Sequence, residues 1–290
     1  LDPPHLDDRR FQDIVDEAKR LIPRFTPEWT NHNVSDPGVA LIELFAWMSE
    51  MVLYRVNQVP DRLYVHFLNL VGIDLFPPSV ARTELVFRLT APTGEVVRIP
   101  AGTQVATADD DDPVVFATSH DALARPAALV AALTRSAATG ATRDVWEDLT
   151  LPQGAVVCFP SEPLVEGDAF YLGLASPLAH QVLELEIDAH AEGIGVDPLD
   201  PPLVWEVWTG EAWTPCIVEQ DTTGGLNQDG SVVMLVGPEA APLVLGGTSA
   251  HWLRARMLRP TTHRAGYQAS PQVSAVVART VGVSAPAEHS

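Results

Sequence analysis

One segment constrains the fold more than any other, because it is apolar on nearly every side of a predicted helix. It runs from about Pro37 to Asn57, and its thin polar stripe consists of Glu43, Glu50 and Asn57, spaced seven residues apart. A helix of this kind must be buried on nearly all sides. The short helical region around it can hardly cover it, so we expect the later domains or another chain to pack on it. Its apolar positions are Val39, Leu41, Ile42, Leu44, Phe45, Trp47, Met48, Met51, Val52, Leu53, Tyr54 and Val56.

The polar residues just before this helix admit two interpretations. The stretch "TNHNVSDPG" (30–38) contains His32, Ser35 and Asp36. A nucleophile site needs a serine on a sharp turn and a base oriented by a third group, but Ser35 and Asp36 are adjacent and no G-x-S-x-G motif is present. An aspartate followed by proline is a common helix start. We therefore predict that Asp36 caps the helix and that the side chains of Asn31, His32 and Asn33 hold the connector against the helix end by hydrogen bonds. A hydrolase using His32 and Asp36 is the least favoured hypothesis.

Two shorter helices are predicted on either side of this segment. The first covers 7–22, where Asp7 or Asp8 is placed to cap the start and Pro23 is expected to end the helix. The other covers about 60–71, and a glycine follows its end, as is typical of helix termini. Both are apolar on one face. The faces consist of Phe11, Ile14, Val15, Ala18, Leu21 and Ile22 in the first helix, and Leu63, Phe67, Leu70 and Val71 in the other.

The pattern changes to β-strands after "FPPSVAR" (76–82), because consecutive prolines cannot continue a helix. The clearest strand is "QVLELEIDAH" (181–190), which alternates strictly. We therefore predict an α+β fold, with an N-terminal helical segment followed by mostly antiparallel, sandwich-like β domains. The expected divisions are 1–76 for the helices, 77–175 for one β domain and 176–290 for a second β domain. An alternative is that one of the two β regions is inserted in the other. Other strand candidates are 84–90, 94–107 (two short strands around a "PAG" turn), 113–119, 128–136, 203–220, "SVVMLVG", "HWLRARML" and "QVSAVVART".

The segment 203–220 is rich in tryptophan and predicts a hairpin that turns at Thr209-Gly210. Trp205, Trp208 and Trp213, beside two glutamates, could form a platform for a sugar. The alternative is a cross-strand pair of Trp208 and Trp213, with Trp205 in or near the core. We favour the pair, and keep a carbohydrate-binding or adhesive module as the alternative function.

The charge of the chain argues against nucleic acid as a partner. Of its 290 residues, 38 are acidic and 18 basic, giving a net charge of −20, and such a surface repels phosphate. The longest apolar run, Val39 to Tyr54, is interrupted by charged residues and falls short of the ~20 apolar residues that a membrane span needs. The sequence does not begin with a basic segment followed by an apolar one, so we expect neither membrane insertion nor a signal peptide.

Neither a cofactor nor a metal is predicted. Phosphate-binding glycine motifs and histidine pairs at ligand spacing do not occur in the sequence. The acidic run "DDDD" (109–112) lacks the alternation and the closing glutamate of a calcium loop, so a solvated loop is the favoured interpretation. Cys158 and Cys216 are expected to be small buried thiols rather than a disulfide, which suggests a reducing compartment.

Three stretches together resemble a known family. "LDDRRFQDIVDEAKRLIPRFTPEWTNHNVSDPGVALIELFAWMSEMVLYRVNQVPDRLYVHFLNLVGI" resembles the N-terminus of baseplate assembly proteins from contractile injection systems, the phage-tail-like particles of bacteria. "VRIPAGTQVAT", followed by "VVFATS", is similar to the characteristic segment of the phage baseplate J-like family. "PPLVWEVWTGEAWTPCIVEQDTTGGLNQDGSVVMLVG" and "HWLRARML" are similar to the middle region of these proteins.

The resemblance implies a structural wedge protein with no catalytic residues. Such proteins assemble as six wedges around a central hub and spike, pair with a second wedge protein through N-terminal helices, and connect the hub to the contractile sheath. Assembly would occur in the bacterial cytoplasm, within a particle that is sometimes released. The family's longer members imply further C-terminal domains. The expected partner interface consists of Leu41, Leu44, Phe45, Met48, Met51, Val52, Leu63 and Phe67.

Overall fold

The computed structural model divides the chain into two compact units, Leu1–Ser79 and Val80–Ser290. The acidic run 109–112 lies outside the described residues, so its prediction as a solvated loop stays untested. No helix in the described part of the chain is both long and apolar enough to cross a membrane. The structure describes residues 7–57, 61–73, 76, 79–92, 94–108, 113–151, 154–191 and 196–289.

The first unit contains three helices in its described residues: α1 (Phe11–Phe25), α2 (Pro37–Asn57) and α3 (Asp61–Leu70). The predictions for α2 and α3 are confirmed. Beyond α3, Gly72 takes a left-handed φ of +78°, and the N–H of Ile73 donates to the carbonyl of Leu68 at 2.9 Å.

The bounds predicted for α1 are wrong at both ends. The carboxylate of Asp7 binds the side chain of Arg9 rather than capping the helix, which begins only at Phe11. At the other end, α1 continues through Pro23, because the N–H of Thr26 still donates to the carbonyl of Ile22 at 2.8 Å. A proline in the last turn therefore removes one hydrogen bond without stopping the helix.

α1 and α2 pack against each other as an antiparallel pair. The start of α1 lies beside the end of α2, where the N–H of Phe11 meets the side chain of Glu50. The contact buries the small or branched side chains of Val15, Ile22, Val39 and Ala46, all of which are at most 5% exposed. One side of α2 is thus buried inside the unit, whereas its other sides carry large apolar side chains that α1 does not bury.

The second unit consists of antiparallel sheets. Among the described residues, an eight-stranded sheet has the order β13-β14-β10-β17-β4-β3, with β1 and β8 also paired to β17. A seven-stranded sheet has the order β12-β11-β16-β9-β6-β7, with β15 paired to β16, and β2 pairs with β5. The elements are β1 (Arg82–Arg88), β2 (Val97–Ile99), β3 (Gln104–Ala106), β4 (Val115–Thr118), β5 (Ala122–Ala124), β6 (Leu129–Arg135), β7 (Thr142–Asp144), α4 (Trp146–Thr150), β8 (Val156–Val157), β9 (Ala169–Leu174), β10 (Gln181–His190), β11 (Leu203–Trp208), β12 (Trp213–Pro215), β13 (Ile217–Asp221), β14 (Gly230–Leu235), β15 (Pro242–Leu245), β16 (Thr248–Met257) and β17 (Gln272–His289).

The two large sheets share one core, so the helices are followed by a two-layered, antiparallel β region. Side chains from both sheets meet in it, among them Phe170 of β9, Leu183 of β10, Trp205 of β11 and Met234 of β14. Alternation of apolar and polar residues explains this arrangement, because every second residue of β10 from Leu183 faces the core and is buried.

Strands on either side of the predicted boundary between 77–175 and 176–290 pair within the same sheets. β1 and β4 both pair with β17, and β6 and β9 belong to the sheet of β16. Val80–Ser290 therefore forms one compact unit in place of two. The physical reason is the length of β17, whose 18 residues reach β10 at one end and β1 and β4 at the other. Similarly, β2 and β3 flank the "PAG" turn but pair with β5 and β4, not with each other.

Candidate interaction surface

The predicted interface residues of α2 lie outside the face that packs on α1. At 3.6 residues per turn, Val39, Ala46 and Leu53 share the face that packs on α1. The predicted residues lie outside it and expose 46% to 67% of their surface. So many exposed large apolar side chains on one helix face are characteristic of a protein–protein contact. We call this set the apolar face of α2: Leu41, Leu44, Phe45, Met48, Met51 and Val52.

The two predicted residues of α3 are exposed as well. Leu63 exposes 44% and Phe67 61% of its surface. Together with Leu70, which is also exposed, they follow helical spacing and form a stripe along α3. The described helical unit thus carries an uncovered apolar stripe on each of two helices.

The thin polar stripe of α2 has a role that sequence reasoning missed. Oε1 of Glu50 accepts the N–H of Phe11 at 3.0 Å, so it satisfies a donor at the first turn of α1. The side chain of Asn57 exchanges two hydrogen bonds with the backbone of Asp7, at 3.2 and 2.9 Å. These polar side chains fix where α1 starts on α2. The available signal was their spacing of seven residues, which places them on one side of the helix.

A groove of about 430 Å³ runs along the contact of α1 with α2. Ile14 contributes from α1, while Phe45, Met48 and Val52 contribute from the apolar face of α2. A ridge of large side chains beside a groove is the surface into which the side chains of another helix pack. The geometry therefore suits an amphipathic helix as the binding partner.

The connector before α2 forms the start of that helix. Oδ1 of Asp36 accepts the N–H of Gly38 at 2.8 Å, which confirms the predicted cap. His32 bonds to the carbonyl of Trp29 at 2.8 Å, and Asn31 accepts the N–H of Asn33 at 3.3 Å. These bonds hold the connector to itself rather than to the helix end. The hydrogen bonds found among the described residues do not join Ser35 to His32, as a nucleophile and its base would be joined.

The tryptophan hairpin has the predicted turn, in which the N–H of Thr209 donates to the carbonyl of Ala212 at 3.0 Å. Trp208 and Trp213 are cross-strand partners with ring centroids 5.6 Å apart, and Trp205 is 2% exposed. The predicted pair and the buried third ring are confirmed. The guanidinium of Arg254 lies 4.3 Å from the ring centre of Trp213. Trp205 is buried, and the rings of Trp208 and Trp213 are inclined by 61° to each other, so the three rings do not form one flat platform.

Glu206 beside this hairpin is also committed to structure. It is 4% exposed, and its Oε2 accepts from Nε of Arg254 at 2.7 Å and Nε of Arg256 at 2.9 Å. Its Oε1 accepts from Nη2 of Arg256 at 2.8 Å. Burial acts to raise the pKa of this carboxyl, but the hydrogen bonds from Arg256 and Arg254 outweigh it and hold the pKa below its ordinary value. Glu206 is therefore a charged structural link between β11 and β16.

The cysteines are both free and buried, as predicted. Burial, together with the nearby charge of Glu206, raises the pKa of Cys216 to about 12, and burial raises the pKa of Cys158 as well. Neither thiol is ionised near neutral pH, so neither is an activated nucleophile. Within the part of the chain that the structure describes, no three His, Cys, Asp or Glu side chains come together as a metal site would require.

No protein-family model matches the chain, and no curated protein matches it either. We therefore argue function from the surfaces of the chain itself.

Proposed function

We propose that this chain is a structural wedge subunit of the baseplate in a phage-tail-like contractile injection system. In this role it is not an enzyme. It joins a second wedge protein and further copies of itself in a six-fold ring, and connects the central hub and spike to the sheath. Assembly takes place in the bacterial cytoplasm. The proposal combines the resemblance of the sequence with the surface of α2.

The observation that carries the proposal is the apolar face of α2, which lies outside the face that packs on α1. About half of each side chain on it is exposed. Burying that remaining half stabilises a complex by about 1 kcal/mol per residue, or about 6 kcal/mol for the whole face. Association also costs several kcal/mol of rotational and translational freedom, so this face is a central part of a stable interface and needs neighbouring contacts to complete it.

The stripe of Leu63, Phe67 and Leu70 on α3 supplies a further contact of the same kind. Two apolar helices from one chain suit a helical bundle shared with neighbouring subunits. The β unit, whose sheets share one core, then serves as a rigid arm. On firing, the ring exchanges one set of subunit contacts for another, which is a transition between two packed states.

The test introduces charge on the apolar face with Phe45→Glu and Met48→Glu together. Each buried carboxylate without a partner costs several kcal/mol, so we expect co-purification with the second wedge protein to fall at least about a hundredfold, and electron microscopy to show no particles. Circular dichroism checks that the variant remains folded.

The matched control places the same charges at Ile217 and Val244, which are 65% and 64% exposed but lie in β13 and β15. This control should assemble normally, because it changes equally exposed apolar residues outside the helices. Normal particles from the folded Phe45 and Met48 variant would overturn the assignment of this face as the interface.

A further inference from the structure

A second candidate site lies in the β unit, in a cavity of about 330 Å³. Three basic residues are among those that line it: His120, Arg125 and His180. We propose that this cavity binds a carboxylate group of a ligand or partner, with Arg125 as the principal cationic contact. The inference does not depend on the proposed baseplate function, because it rests on the chemistry of this cavity alone.

The backbone of Arg125 is held rigidly on both sides. Its N–H donates to Oε1 of Gln181 at 2.9 Å, and its carbonyl accepts from Oγ1 of Thr280 at 2.5 Å. Gln181 and Thr280 are each 2% exposed. Gln181 is fixed in turn, since its Nε2 donates to the carbonyl of Leu123 at 2.8 Å. Buried polar side chains thus fix the backbone from which this arginine projects, which is the kind of support that a binding residue requires.

No carboxylate partner of Arg125 is found among the described residues, although the chain carries 38 acidic residues. Asp121, which also lines the cavity, pairs with Arg98 at 2.6 Å and accepts the N–H of Ala101 at 2.8 Å. The hydrogen bond from Ala101 has the largest effect on the pKa of Asp121 and lowers it; burial opposes this shift, and the hydrogen bond and charge of Arg98 add to the lowering. Asp121 is therefore engaged elsewhere, and Arg125, a residue of intermediate exposure, remains able to take an anion.

His180 adds a second polar group in a constrained position. Its φ of +64° is uncommon for a residue other than glycine. Its carbonyl accepts the N–H of Ser284 at 2.7 Å, and its Nδ1 contacts Oγ of Ser284 at 3.1 Å and Oε1 of Glu84 at 3.2 Å. The ring is held through Nδ1, which leaves Nε2 for a further hydrogen bond as far as the described residues show.

The charges around the cavity favour a singly charged carboxylate over a doubly charged phosphate. The guanidinium of Arg125 carries one positive charge and so matches a single negative charge, while Glu84 contributes a negative charge beside His180. A dianionic phosphate would meet more repulsion there than a monoanion does. A carboxylate also matches the planar fork of an arginine side chain. The carboxylate is supplied either by a chain terminus or by an acidic side chain.

The experiment titrates the full chain with N-acetylglycine, whose carboxylate mimics a chain end, and with N-acetylaspartic acid α-amide, which mimics an acidic side chain. N-acetylglycinamide is the neutral comparison, and inorganic phosphate is the dianion. Side-chain NMR signals of Arg125, His120 and His180 report binding at constant ionic strength. We expect saturable shifts with the carboxylates, weaker ones with phosphate and none with the amide, and the tighter of the two carboxylates identifies the source.

Arg125→Gln should weaken carboxylate binding about tenfold, as expected for one charge-assisted contact. Arg135→Gln, at an exposed arginine of β6, is the matched control and should bind normally. If Arg125→Gln melts at a lower temperature than the parent protein, exposed His120→Gln provides the same comparison with a smaller expected loss. Equal response to the amide, tighter binding of phosphate, an unchanged Arg125→Gln variant or no saturation would each overturn the proposal.

Discussion

Replacing Glu206 with glutamine should destabilise the β unit far more than the same change at an exposed ion pair. Glu206 lies directly opposite Arg254 in the β11–β16 ladder, and it accepts three hydrogen bonds from Arg254 and Arg256. Glutamine keeps one oxygen but turns an NH₂ group toward a guanidinium. Losing the charge and one acceptor should lower the free energy of unfolding by about 2 to 3 kcal/mol. This is less than the loss expected for a fully buried pair, because both arginines are partly exposed.

The assay is urea unfolding at pH 7, followed by tryptophan fluorescence. Glu186→Gln is the matched control, because Glu186 pairs with Arg279 at 2.6 Å while half of its side chain is exposed. An exposed pair contributes about 0.5 kcal/mol, so the control should change the free energy of unfolding by no more than about 1 kcal/mol. Equal losses in the two variants would refute the role assigned to burial.

The pH dependence gives a sharper test of the same reasoning. The folded pKa of Glu206 lies below its ordinary value of 4.5, so its carboxylate stabilises the fold fully above that pH. This contribution is lost as the pH falls through the folded pKa. The difference between parent and Glu206→Gln should therefore be constant from pH 7 to about pH 5 and shrink below about pH 4.5. A difference that grows in acid would contradict the assignment.

Two further changes test other parts of the structure. A Cβ at Gly38 would lie 2.3 Å from the ring of Trp29, so Gly38→Ala should displace that ring and speed amide exchange in the first turn of α2. Slower exchange would mean that the helix propensity of alanine prevails. Asp168 is fully buried and accepts from Ala137 and twice from Ser161, so Asp168→Ala should lower the free energy of unfolding by about 3 kcal/mol in urea titrations. A loss under about 1 kcal/mol would show that these bonds contribute little.

The helices could be predicted from sequence because their signals are local. An aspartate and a proline mark the start of α2, and apolar periodicity gives its extent. The apolar face was recognisable for the same reason, since its side chains outnumber those that one packed neighbour can cover. The start of α1 could not be read in this way, because the partner of its first N–H is Glu50, which lies 39 residues further on.

The pairing of the strands could not be predicted from the local sequence pattern. Alternation identifies β10 and β11, but it does not tell which strand lies beside which. The cavity around Arg125 was missed for a related reason. His120 and Arg125 lie more than fifty residues before His180, and the contact of Gln181 with the backbone of Arg125 joins the two segments. No short motif in the sequence marks such a site.

The long strand β17 has a consequence for how the β unit is made. β1 pairs along its whole length with β17, and Glu84 bonds to Ser284, which lies 200 residues later in the chain. During synthesis on the ribosome, β1 and β4 cannot form their hydrogen bonds with β17 until that distant strand has been made. The sheet of β10 and β14 can form earlier, since these strands lie closer in sequence. The β unit should therefore close last along β17, and ribosome-bound chains that stop before Gln272 should be cleaved readily by protease at β1.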